Sequence, residues 1–242
     1  MTKTTSRESR KTLARGVLTR SAWLQGLDDA PIDTFVENGE LVEVTDGCAV
    51  CRKGESIQHF SCLIEGVLDV SLTSKTGKRH LLVCLEPGQP VNVIALLDGL
   101  PATHDVYSRG DSLVLDVPRQ LFLDEMERSQ RFYRLVVRLI CTRARTFYDA
   151  YAATALLSLR SRCAHQLLSL ASAYGLPRDG SVQISLKLSQ DTFSEMLGCA
   201  RQSVNVELKR LEREGVITMS YSHFSVLQPL ELARIARGDD EL

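Results

Sequence analysis

No stretch of this sequence approaches the ~20 consecutive apolar residues that a membrane-spanning helix needs. The leading segment, MTKTTSRESRKTLARGVLTR, is basic and hydroxyl-rich but lacks the apolar core of a secretory signal. It reads as a disordered lead-in or a short surface helix, with a transit peptide as the third reading. Common catalytic signatures are missing: there is no HExxH, no GxxxxGK[ST] phosphate loop and no GxSxG elbow. An enzyme is therefore not expected. Strong charge of either sign is also missing, since the formal net charge is -1. That counts against a single-domain nucleic-acid binder, though not against a two-domain chain in which one domain is basic.

Cysteine is present but badly arranged for cross-linking. Cys48, Cys51, Cys62, Cys84, Cys141, Cys163 and Cys199 are odd in number and scattered. Such a set suggests a reducing, cytoplasmic setting rather than a disulfide framework. Cys48 and Cys51 form the one CxxC, and no second pair completes a zinc site. The segment around them reads as a strand, on which residues three apart face opposite ways. No metal is expected there.

The 242 residues allow one large domain or two small ones. From Leu41 to Pro118, short apolar runs alternate with Gly, Pro, Asp and Asn. The runs LVEV, FSCLIEGVLDVSL, RHLLVCL, VNVIALL and DSLVLDV predict strands of a β-barrel or sandwich, with TSKTGKR as a hairpin tip. After Pro118 helices take over. Tyr133, Val137, Ile140, Ala144, Phe147, Tyr151 and Thr154 recur at alternating steps of four and three, a heptad seam. Leu135 and Leu139 lie on a second apolar face. Such a helix fits a dimer interface, or burial within its own domain. Another helix is predicted from Ser158 to Tyr174, ended by Gly175 and Pro177. VQISLKL reads as a strand, and GVITMSYSHFSVLQP as two short strands around a polar turn.

The segment LSQDTFSEMLGCARQSVNVELKRLEREGVI (188–217) carries two short helical patterns. Ser189 is a plausible N-cap, followed by Asp191 in the first turn. Phe193, Met196 and Leu197 form the apolar side of the first helix, and Gly198 permits a tight turn. The second helix runs from about Ala200 to Glu214. Val204, Leu208 and Leu211 form its apolar side; Arg201, Gln202, Asn205 and Lys209 lie opposite, with Arg210 and Arg213 nearby. This is the pattern of a helix-turn-helix, whose second helix enters the major groove with its N-terminal residues leading. Arg pairs bidentately with guanine, Gln or Asn with adenine, and Lys209 falls where a phosphate contact is expected. Glu195, Glu207 and Glu212 favour the competing reading, a solvated helix pair.

That stretch resembles the winged helix-turn-helix of the cyclic-AMP receptor and fumarate-nitrate regulator (CRP/FNR) family of bacterial transcription factors. GCARQSVNVELKRLEREGVI is close to the family's recognition-helix motif. CRKGE (51–55), LIEGVLDV (63–70) and LEPGQ (85–89) are similar, in order and spacing, to its sensory β-roll. The resemblance spans roughly residues 30–235. It implies an α+β chain: an N-terminal extension (1–29), a cyclic-nucleotide-binding-type β-roll or jelly roll (30–129), a dimerisation helix (130–156), a winged helix-turn-helix (157–235) and a tail (236–242). It further implies a homodimer on palindromic double-stranded DNA, acting with RNA polymerase. By position Arg201 is the guanine reader, with Ser189, Gln202, Asn205, Val206 and Lys209 around it. The cyclic-AMP receptor has Glu where this chain has Gln202, and Arg where it has Val206, which implies a different operator.

The resemblance also implies an effector pocket at Gly88, Asn92, Val93, Ala102, Thr103, Phe147 and Tyr148. Cyclic-AMP-binding members carry Gly-Glu and Arg-Ser there, to hold the ribose hydroxyl and the cyclic phosphate. Asn92-Val93 and Ala102-Thr103 replace them, and Phe147 and Tyr148 stand where small hydroxyl residues meet the purine. Cyclic AMP is therefore not the expected effector. An iron–sulfur cluster needs an N-terminal cysteine cluster, but no cysteine precedes Cys48. Haem needs an axial ligand just past PGQ, where the nearest His is His104. Neither cofactor is expected. The competing functional class is a signalling adaptor whose helix pair contacts protein. Steep loss of DNA affinity between ~50 and ~200 mM salt distinguishes a DNA reader from it. Cys199, at the turn of the helix pair, reads as a packed residue or as a redox-active thiol.

Overall fold

The computed structural model describes residues 7–178, 180–220 and 223–238. It divides into two compact units, Met1–Arg145 and Thr146–Leu242.

The first unit opens with α1 (Arg7–Arg20), a 3-10 turn at Ala22–Leu24 and α2 (Asp29–Asn38). Strands β1 (Glu40–Val44), β2 (Ala49–Cys51), β3 (His59–Thr73), β4 (Arg79–Leu85) and β5 (Pro90–Val91) follow. Helix α3 (Val93–Asp98), β6 (Asp105–Pro118), α4 (Arg119–Arg128) and α5 (Gln130–Leu156) come next, the last with its residues from Thr146 on in the second unit. The six strands form one antiparallel sheet ordered β1-β6-β3-β4, with β2 also on β6 and β5 also on β3. The long strands β3 and β6 pair from His59↔Pro118 to Ser71↔Asp105 and bulge on either side of Glu65. Gly66 takes φ +96° at that bulge. A Cβ there would lie 2.4 Å from the Ser112 hydroxyl oxygen, so only glycine fits.

Two expectations for this unit need correction. The basic leader is neither disordered nor a purely surface helix. Within α1, Ala14 and Leu18 are fully buried, and Val17 packs against the same core. The signal was the spacing 14, 17, 18 in an otherwise polar stretch. Just after α1, the Ser21 hydroxyl and the Trp23 indole both donate to the Gly88 carbonyl, at 2.7 and 2.9 Å. VNVIALL is the second correction. It is not a strand, because Asn92 adopts φ +51° and helix α3 begins at the next residue.

Helices and sheet meet on an aromatic cluster. Phe35, Phe60, Phe122 and Phe132 are fully buried. Ring centroids lie 4.5 Å apart for Phe60–Phe122, 5.1 Å for Phe122–Phe132 and 5.4 Å for Phe35–Phe132. Trp23 packs at its edge, 6.0 Å from Phe60. Charge is also sealed in. Asp69 on β3 is buried and takes a two-point contact from Arg109 (2.9 and 2.8 Å) and a third bond from Arg79 (3.1 Å).

The second unit contains α6 (Leu159–Tyr174), β7 (Gly175–Arg178), β8 (Ser181–Ile184), α7 (Gln190–Leu197), α8 (Arg201–Arg213), β9 (Ile217–Ser220), β10 (His223–Val226) and α9 (Pro229–Ala236). Its sheet runs β7-β8-β10-β9. Ser158 caps α6 by accepting from the Ser161 N–H. Gly175 to Arg178, expected only to end that helix, forms an edge strand against β8, a place where Pro177 is tolerated. The tip of the β9–β10 turn, and the tail from 239, lie outside the described residues.

Phe122 contacts three of the other aromatics, so Phe122→Ala should lower the unfolding free energy by about 3–5 kcal/mol. Urea denaturation followed by far-UV circular dichroism measures this.

Candidate nucleic-acid interface and effector pocket

Ser189 caps α7 as expected, its hydroxyl accepting from the Thr192 N–H at 3.0 Å. Gly198 ends the helix at φ +66°, the left-handed conformation that turns the chain. Val204, Leu208 and Leu211 are fully buried on the inner side of α8. Phe193 of α7 packs on Phe224 of β10 at 5.3 Å, so α7 and the β9–β10 pair share one core.

The outer side of α8 is more basic than the sequence suggests. Its exposed residues are Arg201, Gln202, Ser203, Val206, Lys209, Arg210 and Arg213, with no acid among them. Glu207 is half-buried, with its Oε2 atom enclosed. Glu212 is half-buried and accepts from the Met219 N–H of β9 at 3.0 Å. Two of the three acids that favoured a merely solvated helix pair are thus turned inward. Glu214, just past α8, is held below the usual carboxylate range by hydrogen bonds from Arg160 and then Arg210. Arg201 is exposed at the start of α8, and its guanidinium sits 3.0 Å from the Asp191 carboxylate. Asn205 is half-buried, and its Oδ1 has no partner among the described residues. Ser189, Asp191, Arg201, Lys209 and His223 line one shallow concavity of about 480 Å³ between the helix pair and the β9–β10 strands.

The residues expected around an effector have different fates. The Gly88 carbonyl is occupied by Ser21 and Trp23. Asn92, Val93 and Ala102 are buried. The Asn92 amide donates to the Cys51 sulfur at 2.5 Å, and its Oδ1 has no partner among the described residues. Ala102 exchanges backbone hydrogen bonds with Gly54 and Glu55, both at 2.8 Å. Thr103 is exposed and bonds the His104 ring. Phe147 and Tyr148 lie in the second unit and are 66% and 71% exposed. One residue near this segment was missed. Arg143 of α5 donates to the Pro90 carbonyl at 2.5 Å. Its pKa is lowered by burial, and its charge adds to burial in lowering that of His104. Nothing in a heptad pattern marks this arginine, which lies off the seam.

A cyclic nucleotide-binding domain model matches residues 41–129, and a Crp-like helix-turn-helix domain model matches residues 161–235. The chain belongs to the CRP/FNR family of transcription factors. A CRP-like cAMP-activated global transcriptional regulator of Mycobacterium tuberculosis is 24% identical over 225 residues, covering 91% of this chain and 99% of that protein. A global nitrogen regulator of Nostoc is 22% identical, covering 75% and 82%. Among solved structures, a CRP/FNR-family regulator of Thermus thermophilus superposes with a TM-score of 0.69 at 20% identity, covering 82% of this chain and 98% of that one. The c-di-GMP responsive global regulator CLP of Xanthomonas campestris gives a TM-score of 0.71 at 16% identity, covering 82% and 99%. At these identities the structures establish the fold.

The thiols of this regulator divide by burial. Cys48 and Cys141 are exposed, and Cys199 is half-buried, 3.6 Å from the Arg162 guanidinium. Burial pushes Cys62, Cys84 and Cys163 up to about 12, and raises Cys51. At neutral pH a chromogenic disulfide reagent should label Cys48 and Cys141 first, because thiolate and access are both required. Cys51, Cys62, Cys84 and Cys163 should react only on unfolding. Slow labelling of Cys199 identifies a packing residue; labelling as fast as Cys48 would instead mark a reactive thiol at the turn.

Proposed function

We propose that this chain is a homodimeric, sequence-specific DNA-binding regulator that works in the cytoplasm without cyclic AMP and acts through RNA polymerase. The carrying observation is the outer side of α8, which exposes four basic residues and no acid above a buried Val204, Leu208, Leu211 stripe. Arg201 and Gln202 lead into the major groove, with Asn205 and Val206 reading the same site. Ser189 and Lys209 serve as backbone contacts. Asp191 holds Arg201 in place until a guanine displaces it.

Dimerisation rests on α5. Tyr133, Val137, Phe147 and Tyr151 are 51, 42, 66 and 69% exposed along one heptad stripe, with Ala144 and Thr154 also exposed. Ile140, assigned to the same seam, is half-buried against the core of its own unit. It is therefore shared between that core and the seam.

Independence from cyclic AMP rests on the 88–103 segment. Val93 and Ala102 are buried and apolar, and Asn92 is committed to Cys51. A phosphate placed there without its charged partner forfeits ~1.5–3 kcal/mol. The effector named for the Mycobacterium relative is not the one named for the Xanthomonas relative, so neither transfers by likeness alone.

Selection of bound fragments from random duplex DNA, with no nucleotide added, tests this reading. A two-fold-symmetric site should emerge, and cyclic AMP should not change it. Failure to enrich any site, or cyclic AMP binding with a low-micromolar dissociation constant, would count against it. Arg201→Ala should weaken operator binding by about 1–3 kcal/mol and relax preference at one base position. A competitive gel-shift series over single-base operator variants measures both. Tyr151→Asp places a charge on the exposed seam and should shift sedimentation from dimer to monomer, with little effect on the melting of either unit.

A further inference from the structure

The first sixteen residues of α5, Gln130 to Arg145, contain five arginines and no acidic residue. Arg143 is the inward-facing one. The other four, Arg131, Arg134, Arg138 and Arg145, are all exposed. At about 100° per residue they fall within an arc of about 60°. The buried face of the helix, at Phe132, Leu135 and Val136, and the heptad seam lie about 120° away on either side. Over these sixteen residues the helix therefore has three stripes: one in the core, one apolar and exposed, and one of guanidinium groups, which ends at the exposed Asp149 one turn past Arg145. Pairing through the seam leaves this third stripe in solvent.

We propose that the arginine stripe is a docking surface for an acidic segment of a partner protein, one that presents carboxylates at helical spacing. Three observations select this occupant. Arg131 already sits beside a carboxylate of its own chain, Asp28, at 3.7 Å. Arg134, Arg138 and Arg145 have no hydrogen-bond or ion-pair partner among the described residues. Their spacing rises by about 6 and then about 10 Å along the axis, a ladder that a second helix with Glu at matching positions can meet. Guanidinium forks take carboxylates two bonds at a time, which an ammonium cannot do. A nucleic-acid backbone is the weaker candidate. Residues 1–145 carry equal numbers of basic and acidic side chains, so the unit has no net field to gather a polyanion. A local acidic patch needs only the local stripe.

The test uses the full chain and a labelled helical peptide with Glu at spacings of three, four and seven on a neutral background. Fluorescence anisotropy should show salt-sensitive binding. The triple variant Arg134→Ala, Arg138→Ala, Arg145→Ala should bind about tenfold more weakly or worse. A control that removes the same charge elsewhere, Arg52→Ala, Lys53→Ala, Lys75→Ala, should bind like the parent. The Arg→Lys triple should fall between, since charge remains but the fork is lost. Unchanged melting and sedimentation of the stripe variants show that fold and assembly are kept. Equal losses in the stripe and control variants would reduce the effect to net charge and overturn the proposal. So would no peptide binding, or a short duplex DNA that binds more tightly than the peptide and loses affinity with the stripe variant.

Discussion

The contact among Phe35, Phe60, Phe122 and Phe132 is the constraint on which the first unit depends. Each ring comes from a different element, α2, β3, α4 and α5. A β-sheet with one apolar face must cover it, and here the cover is helical. Trp23 joins the cluster by its ring and reaches the Gly88 carbonyl by its N–H. The amphipathic residue thereby ties the leader, the sheet and the start of the 88–103 segment to one core. Phe132 and Val136 commit one face of α5 to that core, which leaves the arginine stripe and, apart from the half-buried Ile140, the seam outside.

Charge is handled by the same logic of commitment. The buried Asp69 carboxylate is acceptable because two arginines from neighbouring strands saturate it. On α8, Glu207 turns inward and Glu212 ties down the first residues of the wing. The net charge of the chain therefore says little about the surface DNA would meet. What matters is which charges are spent internally. Asp191 does face outward, and it pairs with the very arginine expected to read a base.

The 88–103 segment of the β-roll is tied down by contacts inside its own unit. Asn92 bonds a cysteine sulfur, Ala102 is stitched by backbone hydrogen bonds to the turn at Gly54, and Arg143 reaches the Pro90 carbonyl from α5. These contacts hold the segment from within the unit itself.

Much of this was legible in residue order. Four of five apolar runs became strands, because alternation and Gly or Pro punctuation are local signals. The helix-turn-helix was legible for the same reason: Ser189, Gly198 and the 204, 208, 211 stripe act within a few turns of one another. The failures were non-local. VNVIALL became a helix at an Asn in the left-handed region, and Gly175 to Arg178 became a strand because β8 offered an edge. The stripe of Ala14, Val17 and Leu18 was too short to be decisive without the core it enters. Arg143 and the inward acids of α8 could not be placed at all. Sequence by itself determined most of the helices and strands and the polar side of the second helix of the pair, since periodicity and capping act along the chain. Only the tertiary structure decided which charges are spent inside, because a charge's partner is set by packing between segments far apart in the chain.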